Sequence, residues 1–365
     1  MFSKSTFMAL VIGLIIGLIV TLYLTNTTRP FNTFFPPKSV NRTETFQHRS
    51  SGIKNDQNNI DALYGEFKQD EDDSISRKFA NDVRVLIWVM TSPENLPVKA
   101  KAVKDTWARH GQLVLYFSSV DNKTFPAIGL NVSEGRKHLM AKTSKAFRYV
   151  YENHFNDADW FMKADDDTYL IVENLKYFLS GENYSEPVYF GQLFALWGHP
   201  VLKQGYQTGG AGYVLSKEAL RRFGEGSQKE IYCHKDSGGE DMNMAICMQI
   251  LGVRAGRSHD ALGNSRFHQE SPVVHINGLY GRWYYNKSME AITMGVNGLS
   301  DYTVSFHHLS PTDMYVLEFF VYHLRPYGIP IQLQNLNNRT GVSTIGEDKI
   351  RKMNMSSMFS KVKQE

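Results

Sequence analysis

Three consecutive carboxylates, Asp165-Asp166-Asp167, follow the apolar run Trp160-Phe161-Met162. Side chains so close repel one another unless a cation or strong donors lie between them. An Asp-x-Asp at a strand end is a common way to hold a divalent cation against a nucleotide diphosphate, and hard carboxylate oxygens suit Mg²⁺ or Mn²⁺. The alternative for a bare triplet is a solvated acidic turn. A second stretch, Lys203 to Ser216, carries Gly209, Gly210 and Gly212, which let backbone approach a ligand or simply bend the chain before a strand. Its lysine and serine do not have the spacing of a Walker loop. In a third, Gly238-Gly239-Glu240-Asp241 opens a helix. Read alone, its carboxylates are caps or partners of the helix dipole.

The elements that must position these groups follow from the hydrophobic pattern. Val83 to Met90 is apolar and β-branched and predicts a central strand. Val98 to Arg109 has Ala100, Val103 and Trp107 on one helical face, and Leu113 to Phe117 is a second strand. A strand, a helix and a strand with short connections make a βαβ unit, hence an α/β fold with a parallel sheet. A helix from Lys137 to Asn153 leads into the strand of the triplet, which places Asp165 at the C-terminal edge of that sheet, where open α/β sheets bind ligands. Further helices are expected over Glu173–Leu179, from the Ser216 cap to about Phe223, over Met242–Leu251 and from Ser310-Pro311 to Leu324. Strands are expected at Pro187–Phe190 and Thr303–Phe306, the latter followed by His307-His308.

With 365 residues, the chain holds one large domain or two ordinary ones. A net charge of +3 gives no electrostatic case for nucleic-acid binding. Phe7 to Thr25 is an uncharged apolar run long enough to span a bilayer, without the cleavage site of a signal peptide. Flanking positive charges scarcely orient it. Sequons at Asn26, Asn41, Asn122, Asn131, Asn183, Asn286, Asn338 and Asn354 all follow it, which favours a lumenal C-terminal body. The layout is a type II single-pass protein: 1–6 cytosolic, 7–25 a signal-anchor, 26–80 a polar stem, 81–330 the catalytic domain and 331–365 a polar tail. Cys233 and Cys247 either close one disulfide or stay as two buried thiols.

Taken together, DWFMKADDDTY, KQGYQTGGAGYVLSKEAL, the Glu-Asp after a glycine pair, SFHHLSPTDMY and YHLRPYG resemble the core 1 β1,3-galactosyltransferase family over about residues 83–328. The resemblance implies a GT-A fold, a Golgi membrane location, UDP-galactose as donor, O-linked GalNAc on glycoproteins as acceptor, Mn²⁺ as cofactor, inversion at the anomeric carbon and a homodimer. It puts the metal ligands on Asp165, Asp167 and His307. Contacts to uridine diphosphate fall on Met90, Glu134, Gly135, Arg136, Lys142 and Asp165, and sugar contacts on Tyr213, Glu240 and Tyr285. The general base maps to Asp241, and the two cysteines to a family disulfide.

Chemistry supports that assignment. A diphosphate leaving group needs its developing charge stabilised, which a bridging divalent ion does as a Lewis acid. An imidazole beside two carboxylates suits Mn²⁺ better than Mg²⁺. Arg136 and Lys142 add donors to phosphate, and a single displacement needs a base within hydrogen-bond reach of the attacking hydroxyl. The chain also departs from the family. Gly298 and Leu299 replace a cysteine pair, and a cysteine expected near Gly111 is missing. Trp283-Tyr284-Tyr285 replaces Trp-Tyr-Trp, and His268-Gln269-Glu270-Ser271-Pro272 stands where the family is more aromatic and richer in proline. Two other readings remain: a β1,3-glycosyltransferase with a different acceptor, and a non-catalytic chaperone of the same fold, whose known example lacks the Asp triplet.

Overall fold

The computed structural model describes residues 74–236, 238–289 and 292–326. The expected membrane span, nearly all of the stem and the C-terminal tail lie outside these residues. Among the described residues no helix is long and apolar enough to cross a membrane.

The first helix, α1 (Ser74–Asp82), occupies residues read from sequence as the end of the stem, where polarity hides a short amphipathic pattern. Its Phe79 sets a ring edge-on against Tyr177. After it come β1 (Val85–Met90), α2 (Lys101–Asp105), β2 (Leu113–Ser118), β3 (Ala127–Gly129), α3 (Leu139–His154), β4 (Trp160–Asp165) and β5 (Tyr169–Leu170). Then follow α4 (Val172–Leu179), β6 (Val188–Gly191), β7 (Leu193–Phe194), β8 (Tyr206–Gln207), β9 (Tyr213–Ser216), α5 (Lys217–Gly226), α6 (Glu240–Ile250) and β10 (Arg254–Ala255). The last group is β11 (Phe267–His268), α7 (Pro272–Asn277), α8 (Arg282–Lys287), β12 (Ser305–Phe306) and α9 (Pro311–Glu318).

The fold is mixed α/β around a seven-stranded sheet ordered β10-β6-β9-β4-β1-β2-β3. Neighbours are parallel except at β9, which runs antiparallel to both β4 and β6. Every residue of β1 is buried, as an apolar run covered on both faces requires. Leu86 and Trp88 pack with Phe147 and Val150 of α3, Phe223 of α5 and Met244 of α6. Val85, Ile87 and Val89 face Trp107, Leu175 and Phe178 of α4 and Met314 of α9.

The helix expected from Val98 to Arg109 is broken into three pieces. A π turn (Leu96–Ala100) with Pro97 near its start leads into α2, and a 3₁₀ turn (Trp107–His110) follows. Thr106 leaves the helical region at φ −111°, ψ −117°, and its hydroxyl bonds back to Ala102 O. The break lets Trp107 sink into the core, where Nε1 donates to Thr168 O at 2.8 Å. A small sheet, β11-β12-β5, pairs Phe306 with Tyr169 and so brings the residue after β12 beside the triplet. Cys233 and Cys247 form a disulfide.

Candidate active site

β1 and β4 pair in parallel with Met90 opposite Asp165, so both strands end at one level. A cleft of about 670 Å³ opens there, within the usual range for ligand sites. The whole lining is drawn from seven separate stretches of the chain and includes Met90, Glu134, Gly135, Arg136, Lys142, Asp165, Asp167, Glu240, Asp241 and His307.

The triplet is held by donors from several elements. Lys163 precedes Asp165 by two residues and lies on the same side of β4. Its Nζ donates to Asp165 Oδ1 at 2.7 Å and to Gly209 O at 3.1 Å, and sits 3.8 Å from Glu240 Oε2. Burial disfavours the Lys163 charge, but Asp165 and Glu240 outweigh it and raise its pKa. Asp166 turns inward and accepts from the Thr91 hydroxyl at 2.8 Å; burial lifts its pKa to about 6 against that bond. Asp167 is also partly buried, yet the His307 and Lys99 partners hold its carboxyl well below the ordinary range. Lys99 Nζ is 3.2 Å from Asp167 Oδ2.

His307 Nε2 lies 3.1 Å from Asp167 Oδ1, and ligand atoms of Asp165, Asp167 and His307 all fall within 4.8 Å of one another. His307 Nδ1 is 3.2 Å from the backbone oxygen of Gln269. That is the outer-shell arrangement typical of a metal-binding imidazole, one nitrogen anchored and the other turned to the site. Two hard oxygens and one imidazole therefore fit a divalent first-row cation. The glycine loop completes this wall. A Cβ on Gly210 would collide with the His307 ring, and one on Gly209 would lie 2.5 Å from Glu240 Oε2. The loop is glycine-rich because it packs against the site's own side chains.

Glu240 and Asp241 form the first turn of α6. Glu240 is buried, and Asp241 is half-buried on the cleft. Burial raises the pKa of both. Lys142 is buried, with Nζ donating to Thr91 O at 2.7 Å and to Glu134 at 3.0 Å. Gly135 has φ +115°, a conformation glycine adopts freely, and Arg136 next to it is exposed.

Two of the expected sugar contacts lie apart from this lining. Tyr213 is fully buried in β9 and gives its hydroxyl to Glu240 Oε1 at 2.6 Å. β9 is buried on both faces, and Tyr213 lies on the face covered by α3 and α6, where it braces Glu240. Tyr285 is 43% exposed on α8, with its hydroxyl 3.4 Å from Met294 Sδ. Sequence reasoning overlooked Lys99, Thr91, Lys163 and Gln269. Lys163 had a signal in its two-residue offset from Asp165, and Gln269 stood in a run that departs from the family; Lys99 and Thr91 arrive through tertiary folding.

Residues 80–278 match the family described as Fringe-like. A Xenopus laevis glycoprotein-N-acetylgalactosamine 3-beta-galactosyltransferase 1 is 44% identical over 272 residues, 73% of this chain and 74% of that protein. A Mus musculus beta-1,3-glucosyltransferase is 30% identical over 171 residues, 47% of this chain and 33% of that protein. Among solved structures, the galactosyltransferase LgtC with donor and acceptor sugar analogs aligns with a TM-score of 0.37 at 10% identity, covering 66% of this chain and 97% of that one.

Proposed function

Because the chain belongs to the Fringe-like family, we propose that it is an inverting glycosyltransferase of GT-A fold that moves galactose from UDP-galactose, in β1,3 linkage, to GalNAc O-linked to glycoproteins. The observation that carries this reading is the single cleft that gathers the Asp165–Asp167–His307 group and the Glu240-Asp241 helix start. The 44% identity to the Xenopus galactosyltransferase supports the choice of donor and acceptor.

In this reading the acceptor 3-hydroxyl oxygen attacks the anomeric carbon, and the bond to the diphosphate oxygen breaks as UDP leaves with the electron pair. Asp241 takes the hydroxyl proton. Its raised pKa moves it toward the value a general base needs near neutrality. Glu240, locked by hydrogen bonds, orients the sugar side of the cleft. Arg136 and Lys142 supply donors to the diphosphate, with Met90, Glu134 and Gly135 bounding the nucleotide. Mn²⁺ held by Asp165, Asp167 and His307 would supply Lewis-acid stabilisation of the leaving group. Tyr285 borders the acceptor from α8. The same reading takes residues 7–25 as a Golgi signal-anchor, 26–80 as mostly stem, 81–330 as the catalytic domain and the protein as a homodimer.

A donor-by-acceptor screen on the purified protein, run with Mn²⁺ and again with chelator, tests this. Transfer of galactose to a GalNAc-peptide, abolished by chelator, is expected. Transfer from another donor, or to another acceptor sugar only, would replace the donor or acceptor assignment. Transfer that chelator leaves untouched would remove the metal from the mechanism. No transfer at all would favour the chaperone-like reading.

A further inference from the structure

We propose that Gln269, anchored by Gln192, is the positioning residue that fixes His307 in the orientation a cation requires. The inference rests on the reading of Asp165, Asp167 and His307 as a cation site. Gln269 meets His307 Nδ1 twice: its side-chain Nε2 lies 3.2 Å away and its backbone oxygen also 3.2 Å away. One is a donor and the other an acceptor. The ring is therefore held in one orientation whichever nitrogen carries the proton. With Nε2–H turned to Asp167, Nδ1 accepts from the Gln269 amide. With Nδ1–H donated to the Gln269 carbonyl, Nε2 presents its lone pair beside Asp165 and Asp167.

The amide is itself fixed. Its Oε1 accepts from Ala211 N at 3.2 Å, in the glycine loop that packs on His307. The backbone N–H of Gln269 donates to Gln192 Oε1 at 2.6 Å, and Gln192, buried at 7% exposure, donates its own Nε2 to the Tyr284 hydroxyl. Tyr284 belongs to α8, the helix that carries Trp283 and Tyr285. Four residues thus run from the cation side of the cleft to the helix bordering the acceptor: His307, Gln269, Gln192 and Tyr284. The side chain and main chain of this one glutamine together provide the partners of His307 Nδ1.

The test is a direct Mn²⁺ titration followed by electron paramagnetic resonance of the free ion, on the whole protein without substrates. Loss of an outer-shell partner typically weakens metal affinity by about 10–100-fold. Gln269→Ala is expected to weaken Mn²⁺ binding by that order and to raise the Mn²⁺ concentration needed for half-maximal turnover. Gln192→Leu should shift both in the same direction. Gln192→Glu should restore wild-type affinity, because it keeps the acceptor for Gln269 N and lets the Tyr284 hydroxyl donate. Gln269→Met, which keeps length without the amide, repeats the measurement if the alanine variant folds poorly. Wild-type Mn²⁺ affinity in Gln269→Ala or Gln269→Met, even with a lowered melting temperature, would reduce the residue to a packing role and overturn the proposal. A wild-type protein that binds Mn²⁺ but transfers no galactose would sink the enzymatic reading alone, since the titration needs no sugar.

Discussion

The Tyr213 hydroxyl donates to Glu240 Oε1 across 2.6 Å, and the Thr143 hydroxyl reaches the same oxygen at 2.9 Å. The other carboxylate oxygen faces Lys163 Nζ at 3.8 Å. A carboxylate so occupied is fixed in place by side chains from three separate elements. Asp241, next in sequence, has one side-chain oxygen bonded to its neighbour Met242 N and borders the cleft. The two carboxylates of one helix turn thus differ: Glu240 is held by side-chain partners, while Asp241 borders the cleft, where the proposed base must lie.

Asp241→Asn should leave the fold and cation binding intact while slowing galactose transfer by roughly 10²–10⁴-fold, the usual worth of a positioned base. Glu240→Gln should behave differently. It leaves buried Lys163 without one of its two carboxylates, so stability and substrate KM should both suffer. Steady-state kinetics paired with thermal melting separates the two. An active Asp241→Asn beside a dead, well-folded Glu240→Gln would exchange the roles.

Asp167→Ala should abolish cation binding and transfer. Read as a bare triplet, the loss of one charge relieves repulsion and costs no stability. Lys99 at 3.2 Å and His307 at 3.1 Å reverse that expectation. Without a cation, the variant should be less stable than wild type by about 1–2 kcal/mol, a charged hydrogen bond discounted for partial exposure. Urea denaturation in the presence of chelator measures this; a variant more stable than wild type would show that repulsion dominates.

The neighbouring histidines give a comparison within one sequence. His307 is buried against Asp167, whereas His308 is exposed with φ +57°. His307→Ala should lose Mn²⁺ affinity. His308→Gly should keep it, since glycine accepts the positive φ without penalty. A Mn²⁺ titration showing the reverse order would move the ligand by one position.

What the sequence disclosed, and what it hid, has a physical division. Strand ends and helix starts are local: the Ser216 cap on Ala219 N and the Ser310–Asp313 capping box stand where turn chemistry put them. The triplet's place at the end of β4 followed from an apolar run meeting charge. Side-chain direction is different. Whether Tyr213 faces a sugar or the protein depends on the register of β9 against β4, a pairing between residues some fifty positions apart. Lys99 reaches Asp167 from the π turn Leu96–Ala100, and no periodicity announces such a turn. Gln269 lies in a run that departs from the family, but its reach to His307 exists only once β11 and β12 are paired.

The Cys233–Cys247 disulfide ties the 3₁₀ turn at Ile231–Cys233 to the middle of α6, enclosing the glycines and carboxylates that open that helix. A loop of this length is worth about 3 kcal/mol by chain entropy. The Cys233→Ala/Cys247→Ala double variant should lose stability of that order and should lose transfer before it loses global structure, because Asp241 sits within the loop. Activity and circular dichroism followed along one urea titration check both; coincident transitions in the variant would show that the disulfide secures the whole fold and not this turn.

Acid sensitivity should come from His275 of α7, packed against His268 and Phe306 of the small sheet. His275 is buried among His268, Phe306 and Tyr284, with Nδ1 2.7 Å from the Tyr280 hydroxyl. Burial lowers its pKa to about 4 and pushes that of His268 well below the ordinary histidine value. Both rings are therefore neutral in the native protein near neutral pH, while in the unfolded chain they take up protons at about 6.5. As pH falls through that value the unfolded state binds protons that the native state does not, so stability drops. For His275 the loss continues until pH reaches about 4, where the native ring also protonates. Between pH 7 and pH 5 this one group should cost about 2 kcal/mol. His275→Gln cannot titrate, so its unfolding free energy should fall less steeply over the same range even if it begins lower. Urea denaturation at pH 7, 6 and 5 provides the slopes; parallel lines for wild type and His275→Gln would place the acid-labile groups elsewhere.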